Sequence, residues 1–168
     1  MDRKLGQPDV EFHVRHEDDQ DAAPLLALAA AQGGTQEPGA GPAADDCATG
    51  EGGLLLVAYV NRRPTGCGGY RQFAADPAGE TVEITRMYVV PGSQLAGLAR
   101  LILAELEGAA EEDGYRRLAV RIGHGRRAAR ALFEITGYRP WPVGSDAGAP
   151  AYAKNLPPPE ETLVTGSP

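Results

Sequence analysis

Apolar and polar residues alternate from Val10 to Arg15 (VEFHVR), and a period of two predicts a strand. Beyond it, Asp18 or Asp19 can cap a helix written DQDAAPLLALAAAQ, with acids in its first turn and Gly33-Gly34 at its end. The β-branched and apolar run LLLVAYV, the turn-rich linker NRRPT and the segment GCGGYRQF predict two strands of a hairpin. After a second turn, DPAGE, the stretch TVEITRMYVV predicts a third consecutive strand. The period then lengthens. From Gln94 to about Glu112, Leu95, Leu98, Ile102, Leu106 and Ala109 recur at steps of three and four, which gives a helix one buried face. A strand from Arg117 to Ile122, a helix from Arg126 to Thr136, and two closing strands near YRPWPV and AYAKNL complete the chain. Antiparallel strands followed by β–α–β–α–β describe one α+β (α/β) domain, a mixed sheet with helices packed on it.

Composition adds boundaries. The chain has 168 residues, the size of one domain. Gly and Pro concentrate in residues 32–53 and in the tail PPPEETLVTGSP. We therefore expect a leader over 1–9, a folded domain over 10–156 containing a flexible loop at 32–53, and a disordered Pro-rich tail at 157–168. The net charge of −7 argues against a general nucleic-acid binder. No apolar run approaches the roughly 20 residues of a membrane span, and the N-terminus has no secretory core. With only Cys47 and Cys67, the chain suits a reduced, cytoplasmic protein, and Cys67 reads as a small core residue. His13, His16 and His124 form no metal-ligand spacing, so no metal is expected.

The turn between the third strand and the long helix carries the chemistry. In QLAGLA, Gly97 and Ala99 occupy the first turn, where unpaired N–H groups and the positive dipole end would accept an anion such as a pyrophosphate. Glycine near a helix start is also common without a ligand. No Lys-Ser/Thr follows the glycine, as a P-loop requires, and the preceding strand follows hairpins rather than opening a dinucleotide-binding unit.

Taken together, VEITRMYVVP, QLAGLA, the amphipathic helix, the next strand and ALFEITGYRP resemble the GNAT superfamily of acetyl-CoA-dependent N-acetyltransferases, over about residues 10–156. Gln94-Leu95-Ala96-Gly97-Leu98-Ala99 fits the family's Gln/Arg-x-x-Gly-x-Gly/Ala pattern. The resemblance implies about six or seven strands, mostly antiparallel, with a central pair that splays apart. It assigns Met87, Tyr88 and Val89 to the pantetheine arm and acetyl carbonyl of acetyl-CoA, and Gln94, Leu95, Ala96, Gly97, Leu98, Ala99 and Arg100 to the pyrophosphate. Arg126 stands where the family carries an Asn that bonds the cofactor arm.

Attack on a thioester needs a neutral amine, and Glu83 stands where family members often carry the acid that takes the proton, directly or through water. Strand alternation places it on one face with Thr85, Met87 and Val89, and its other reading is an exposed strand Glu paired with an Arg. Two positions depart from the family pattern. Phe133 stands where a Tyr usually protonates the leaving thiolate, and Ala96 stands where a basic residue often meets phosphate. Tyr152, His124 or water are the substitutes for that acid. The resemblance thus implies transfer of acetyl to a primary amine by direct attack in a ternary complex. The alternatives are a non-catalytic acyl-CoA-binding module and an interaction domain without cofactor. The acceptor is a small-molecule or protein amine, with Asp45, Asp46 and Glu51 leaning toward a cationic one; a homodimer is the family's common assembly.

Overall fold

A computed structural model of the chain describes residues 8–31, 53–73, 76–92, 97–123, 125–142 and 150–157. Seven strands form one sheet in the order β1-β2-β3-β4-β5-β7-β6: β1 Val10–Val14, β2 Leu54–Val60, β3 Arg63–Gln72, β4 Thr81–Val89, β5 Arg117–Arg121, β6 Arg139–Trp141 and β7 Ala151–Asn155. Three helices pack on it: α1 Ala22–Ala31, α2 Leu98–Glu112 and α3 Arg127–Ile135. Every strand pair is antiparallel except β4 with β5.

The β2–β3 hairpin is tighter than its linker suggests. Asn61 (φ 49°) and Arg62 (φ 67°) alone form the turn, the left-handed pair that matches the twist of two antiparallel strands. β3 therefore starts at Arg63 rather than Gly66, and a bulge between Ala58 and Tyr59 lets Pro64 sit in the strand. The long helix begins later than expected. Gly97 is its N-cap, in the left-handed region at φ 86°, and Gln94, Leu95 and Ala96 lie outside the described residues. Asp113 and Gly114 (φ 87°) close its other end.

The two sheet faces hold separate apolar clusters. On one, Leu98, Ile102, Leu103, Leu106 and Ala110 of α2 pack with Phe133 of α3 onto Tyr70, Val82, Ile84, Leu118, Val120 and Tyr152. On the other, Ala22, Leu25 and Ala29 of α1 cover Leu55, Val57, Cys67 and Tyr88. α2 sits low on β3 because Gly66 and Gly68 have no side chains. A Cβ on Gly68 would stand 2.7 Å from Ile102 Cγ2, and one on Gly66 2.9 Å from Ile102 Cδ1 and 3.0 Å from the Tyr88 carbonyl oxygen.

One irregularity in β4 corrects the expected alternation. Cys67 lies opposite Tyr88 and Gly69 opposite Thr85, so β4 holds one residue more than β3 across this interval. The extra residue is accommodated at Arg86, a non-glycine at φ 56°. Ahead of it, Val82 and Ile84 face α2, and Glu83 and Thr85 face away; behind it, Met87 and Val89 join the α2 cluster and Tyr88 joins the α1 cluster. Glu83 therefore does not share a face with Met87 and Val89, as uninterrupted alternation would have it.

The close approach of α2 to β3 makes one substitution costly and another beneficial. Gly68→Ala should lower unfolding free energy by about 1–3 kcal/mol in urea titrations, through overpacking against Ile102. Gly108→Ala, inside the same helix where a new Cβ meets nothing within 4 Å, should raise it by about 0.5–1 kcal/mol.

Candidate active site

β4 and β5 pair only through Thr81–Arg117, Val82–Leu118 and Glu83–Ala119. Beyond Glu83, β4 continues to Val89 bonded to β3 alone, and beyond Ala119, β5 continues to Arg121 bonded to β7 alone. The central parallel pair thus opens into a V whose apex is Glu83. Met87, Tyr88 and Val89 form the β4 arm of that V, with backbone that has no strand partner toward β5.

The β4 arm leads through Pro91 and Gly92 (φ 78°) to the N-terminus of α2. No described side chain caps that helix, and its first turn holds no acid. The first N–H groups of a helix lack intrahelical partners, and the dipole adds partial positive charge there. Among the described residues, nothing approaches within 4 Å of where a Gly97 Cβ would be, and Arg100 of the first turn is exposed. Gly97, Leu98, Ala99 and Arg100 therefore form the N-cap and first turn of an electropositive helix end. Leu98 contributes backbone only, because its side chain is buried under α2.

At the apex, Glu83 is buried, with 6% of its surface exposed. Arg121 clamps it with two hydrogen bonds, Nε to Oε1 at 2.8 Å and Nη2 to Oε2 at 3.1 Å. Arg71, its cross-strand neighbour, donates Nε and Nη2 to the same Oε2 at 3.4 and 3.3 Å. Oε1 accepts a single guanidinium bond and keeps a lone pair for a proton or a water. The expected exposed strand Glu is thus corrected: Glu83 does pair with arginine, but it is buried and meets two arginines. Neither arginine is signalled by spacing: Arg71 reaches Glu83 through the β3–β4 register, and Arg121 through the opening of the V. The one cue was Arg121 closing RLAVR on the phase opposite to Leu118 and Val120.

The remaining candidates separate. Arg126 is the N-cap of α3, partly exposed, with its amide on the Gly123 carbonyl at 3.4 Å. Phe133 is core, 1% exposed and edge-on to Tyr138 at 5.0 Å. Among the phenols of that cluster, Tyr138 donates to Glu107 at 3.0 Å and Tyr70 to Asp113 at 2.7 Å, and burial followed by the neighbouring carboxylates pushes both above the usual phenol range. Tyr152, on β7 opposite Val120, is 8% exposed, and its hydroxyl bonds no described residue. Trp141 lies against Phe73 with ring centroids 5.5 Å apart. His124 lies outside the described residues, as do Asp45, Asp46 and Glu51. No described helix is long and apolar enough to cross a membrane.

Residues 16–138 match the family model described as "Acetyltransferase (GNAT) family". A search of curated proteins finds no match. Among solved structures, a protein assigned as an acyl-CoA N-acyltransferase from Klebsiella pneumoniae superposes with a TM-score of 0.68 at 21% identity, covering 88% of this chain and 97% of its own. A GNAT-family acetyltransferase from Staphylococcus aureus gives 0.68 at 12% identity over 89% of this chain and 100% of its own. An N-acetyltransferase from Thermoplasma acidophilum in complex with coenzyme A gives 0.52 at 15% identity over 61% and 60%. These likenesses are likenesses of fold.

Cys67, fully buried in the α1 cluster, donates its thiol to the Arg86 carbonyl at 3.3 Å, and burial pushes its pKa up to about 12. It is therefore a thiol, not a thiolate, at neutral pH. In a Cys47→Ser background the native protein should release no chromophore from Ellman's reagent at pH 8, and one equivalent after denaturation.

Proposed function

The chain belongs to the acetyltransferase (GNAT) family, and from that premise we propose that it transfers an acetyl group from acetyl-CoA to a primary amine by direct attack within a ternary complex. The observation that carries the proposal is the α2 N-terminus, electropositive and with no acid in its first turn, at the end of the unpaired β4 arm. A diphosphate suits the helix end because its first turn holds no acid and no described atom lies within 4 Å of a Cβ position on Gly97. The amides from Gly97 to Arg100 would hold that group, and the free edge of Met87, Tyr88 and Val89 would pair with the amide-bearing arm. Gln94, Leu95 and Ala96 complete the family's motif in sequence. Arg126, at the start of α3, would add a cation on the far side of the V.

When bound, acetyl-CoA supplies an activated acyl thioester. The protein's part is orientation and proton handling. A β4 amide aimed at the thioester oxygen would stabilise the charge that develops on it. Glu83 Oε1 takes the proton of the attacking amine, directly or through one water, while Arg121 and Arg71 hold the carboxylate in place. With Phe133 unable to donate, Tyr152 is the phenol available to return a proton to the departing sulfur.

A second reading, an acyl-CoA-binding module without turnover, is favoured by one observation: most of the Glu83 acceptor capacity already serves guanidinium groups.

Calorimetric titration with acetyl-CoA should show binding to the wild-type protein and none to Gly97→Glu, which puts bulk and negative charge into the phosphate turn; retained affinity in that variant refutes the site. Thiol release across an amine panel should fall about 10²–10⁴-fold in Glu83→Gln with cofactor affinity kept. An undiminished rate removes Glu83 from the mechanism, and no release from the wild type favours the binding module. Tyr152→Phe should lower turnover without changing acetyl-CoA affinity.

A further inference from the structure

From Asp9 to Arg15 the chain reads Asp-Val-Glu-Phe-His-Val-Arg, with apolar positions symmetric and charges antisymmetric about Phe12. Valines stand at 10 and 14, and the acids Asp9 and Glu11 before the centre are answered by His13 and Arg15 after it. This segment is β1 with one residue on either side, and β1 is the outermost strand at its end of the described sheet. It bonds β2 on one side and no described strand on the other.

Register decides which backbone groups of β1 face outward. Asn61 donates its amide to the Asp9 carbonyl at 2.8 Å, and Arg15 donates its amide to the Leu55 carbonyl at 2.9 Å. Antiparallel pairing then turns the N–H and C=O groups of Asp9, Glu11, His13 and Arg15 toward β2, and those of Val10, Phe12 and Val14 away from it. Side chains alternate as well. Val10 and Phe12 pack partly buried against the α2 cluster, and Val14 is 60% exposed. Glu11 and His13 are exposed on the other face, where the His13 ring stands edge-on to Tyr59. Within one chain, His13 Nε2 and Glu11 Oε2 are 3.3 Å apart. α2 lies over β2, β3 and β4, and α1 over β3 and β4, so the bulk of both helices is set back from this edge.

We propose that β1 is the docking edge for a second copy of this chain, the two β1 strands pairing antiparallel across a two-fold axis at Phe12. That axis brings the outward groups into register: Phe12 meets Phe12 and Val10 meets Val14, each pair exchanging two backbone hydrogen bonds. Between them, Glu11 of each copy faces His13 of the other in a non-hydrogen-bonded pair, the kind whose side chains approach more closely. A histidine ring N–H donates to a carboxylate whether the ring is charged or neutral. One step further out, Asp9 faces Arg15. Opposite charges directly across two strands stabilise the pairing and like charges destabilise it. A two-fold at Glu11 would set that carboxylate against itself, one at His13 would set ring against ring, and parallel pairing in register would oppose every charge with its like. The Phe12 axis avoids all three. On the α2 side, Val10, Phe12 and Val14 of both copies form one apolar row. The homodimer expected from the family resemblance thereby gains a specific face, independent of the acyltransfer reading.

Sedimentation velocity of the full chain between about 5 and 200 µM should show a reversible monomer–dimer equilibrium, as a small edge contact gives. Val14→Pro removes an outward N–H that β2 does not use, at a mostly exposed side chain, and should leave the protein folded and monomeric. His13→Glu sets acid against acid and should weaken dimerisation about three- to thirtyfold, as two cross-strand pairs change from opposite to like charge. Adding Glu11→Lys to that variant exchanges the charges of both partners and should restore the affinity, with thermal melts confirming the fold of each protein. A monomer throughout the range, a dimer that survives Val14→Pro, or a dimer indifferent to His13→Glu would overturn the pairing. So would a double variant that associates no more tightly than His13→Glu alone.

Discussion

The structure turns on the parting of β4 from β5. Two parallel strands in the middle of a sheet ordinarily pair along their whole length, because each unpaired backbone group forgoes a hydrogen bond. Here the ladder stops at Glu83–Ala119, while β4 continues for six residues. The bulge at Arg86 accompanies the change, since an extra residue bends a strand and increases its twist. What the sheet loses in pairing it recovers as a backbone edge in its interior with no strand partner toward β5. The Glu83–Arg121 pair then ties the two strands together where the backbone ceases to do so. Glu83 is buried and Arg121 partly exposed, so the pair attracts across a partly screened gap and holds the apex by charge where it lacks ladder bonds.

The second constraint is the depth of α2. Gly66 and Gly68 bring Ile102 and Leu106 close to the β3 backbone, which fixes the helix over the same strands that border the V. Its N-terminus consequently lies at the end of the β4 arm. Packing within the core thus determines where the partial charge of the helix is delivered. The ion pair of Lys154 with Glu107, at 3.1 Å, adds a polar tie between α2 and β7 on the far side.

Much of this was legible beforehand. Seven strands, three helices and the antiparallel-then-crossover order follow from hydrophobic period and turn residues, and QLAGLA in its context pointed to the family. What was not legible depends on register. A single left-handed residue at Arg86, a type the turn rules do not mark, inverts the phase of the strand and moves Met87 and Val89 to the face opposite Glu83. The two arginines on Glu83 come from strands 12 and 38 residues away, and no local pattern joins them. The start of α2 was misplaced for a simpler reason: apolar periodicity runs from Leu95 through the turn, whereas the left-handed Gly97 sets the first helical residue at Leu98.

The bulge at Arg86 has a consequence for how this protein tolerates change. A strand that reverses its phase midway behaves as two half-strands: in the first, Val82 and Ile84 face α2, and in the second, Met87 and Val89 do. Substitutions on either half are insulated from the other, so acceptor preference can drift without disturbing the cofactor arm. Length is another matter. Removing one residue at the bulge would rotate everything after it by half a turn, moving Met87 and Val89 from the α2 cluster to the α1 face and Tyr88 from the α1 cluster to the α2 face. The count of residues between Glu83 and Tyr88 is therefore a stricter requirement of the architecture than the identity of most residues within it.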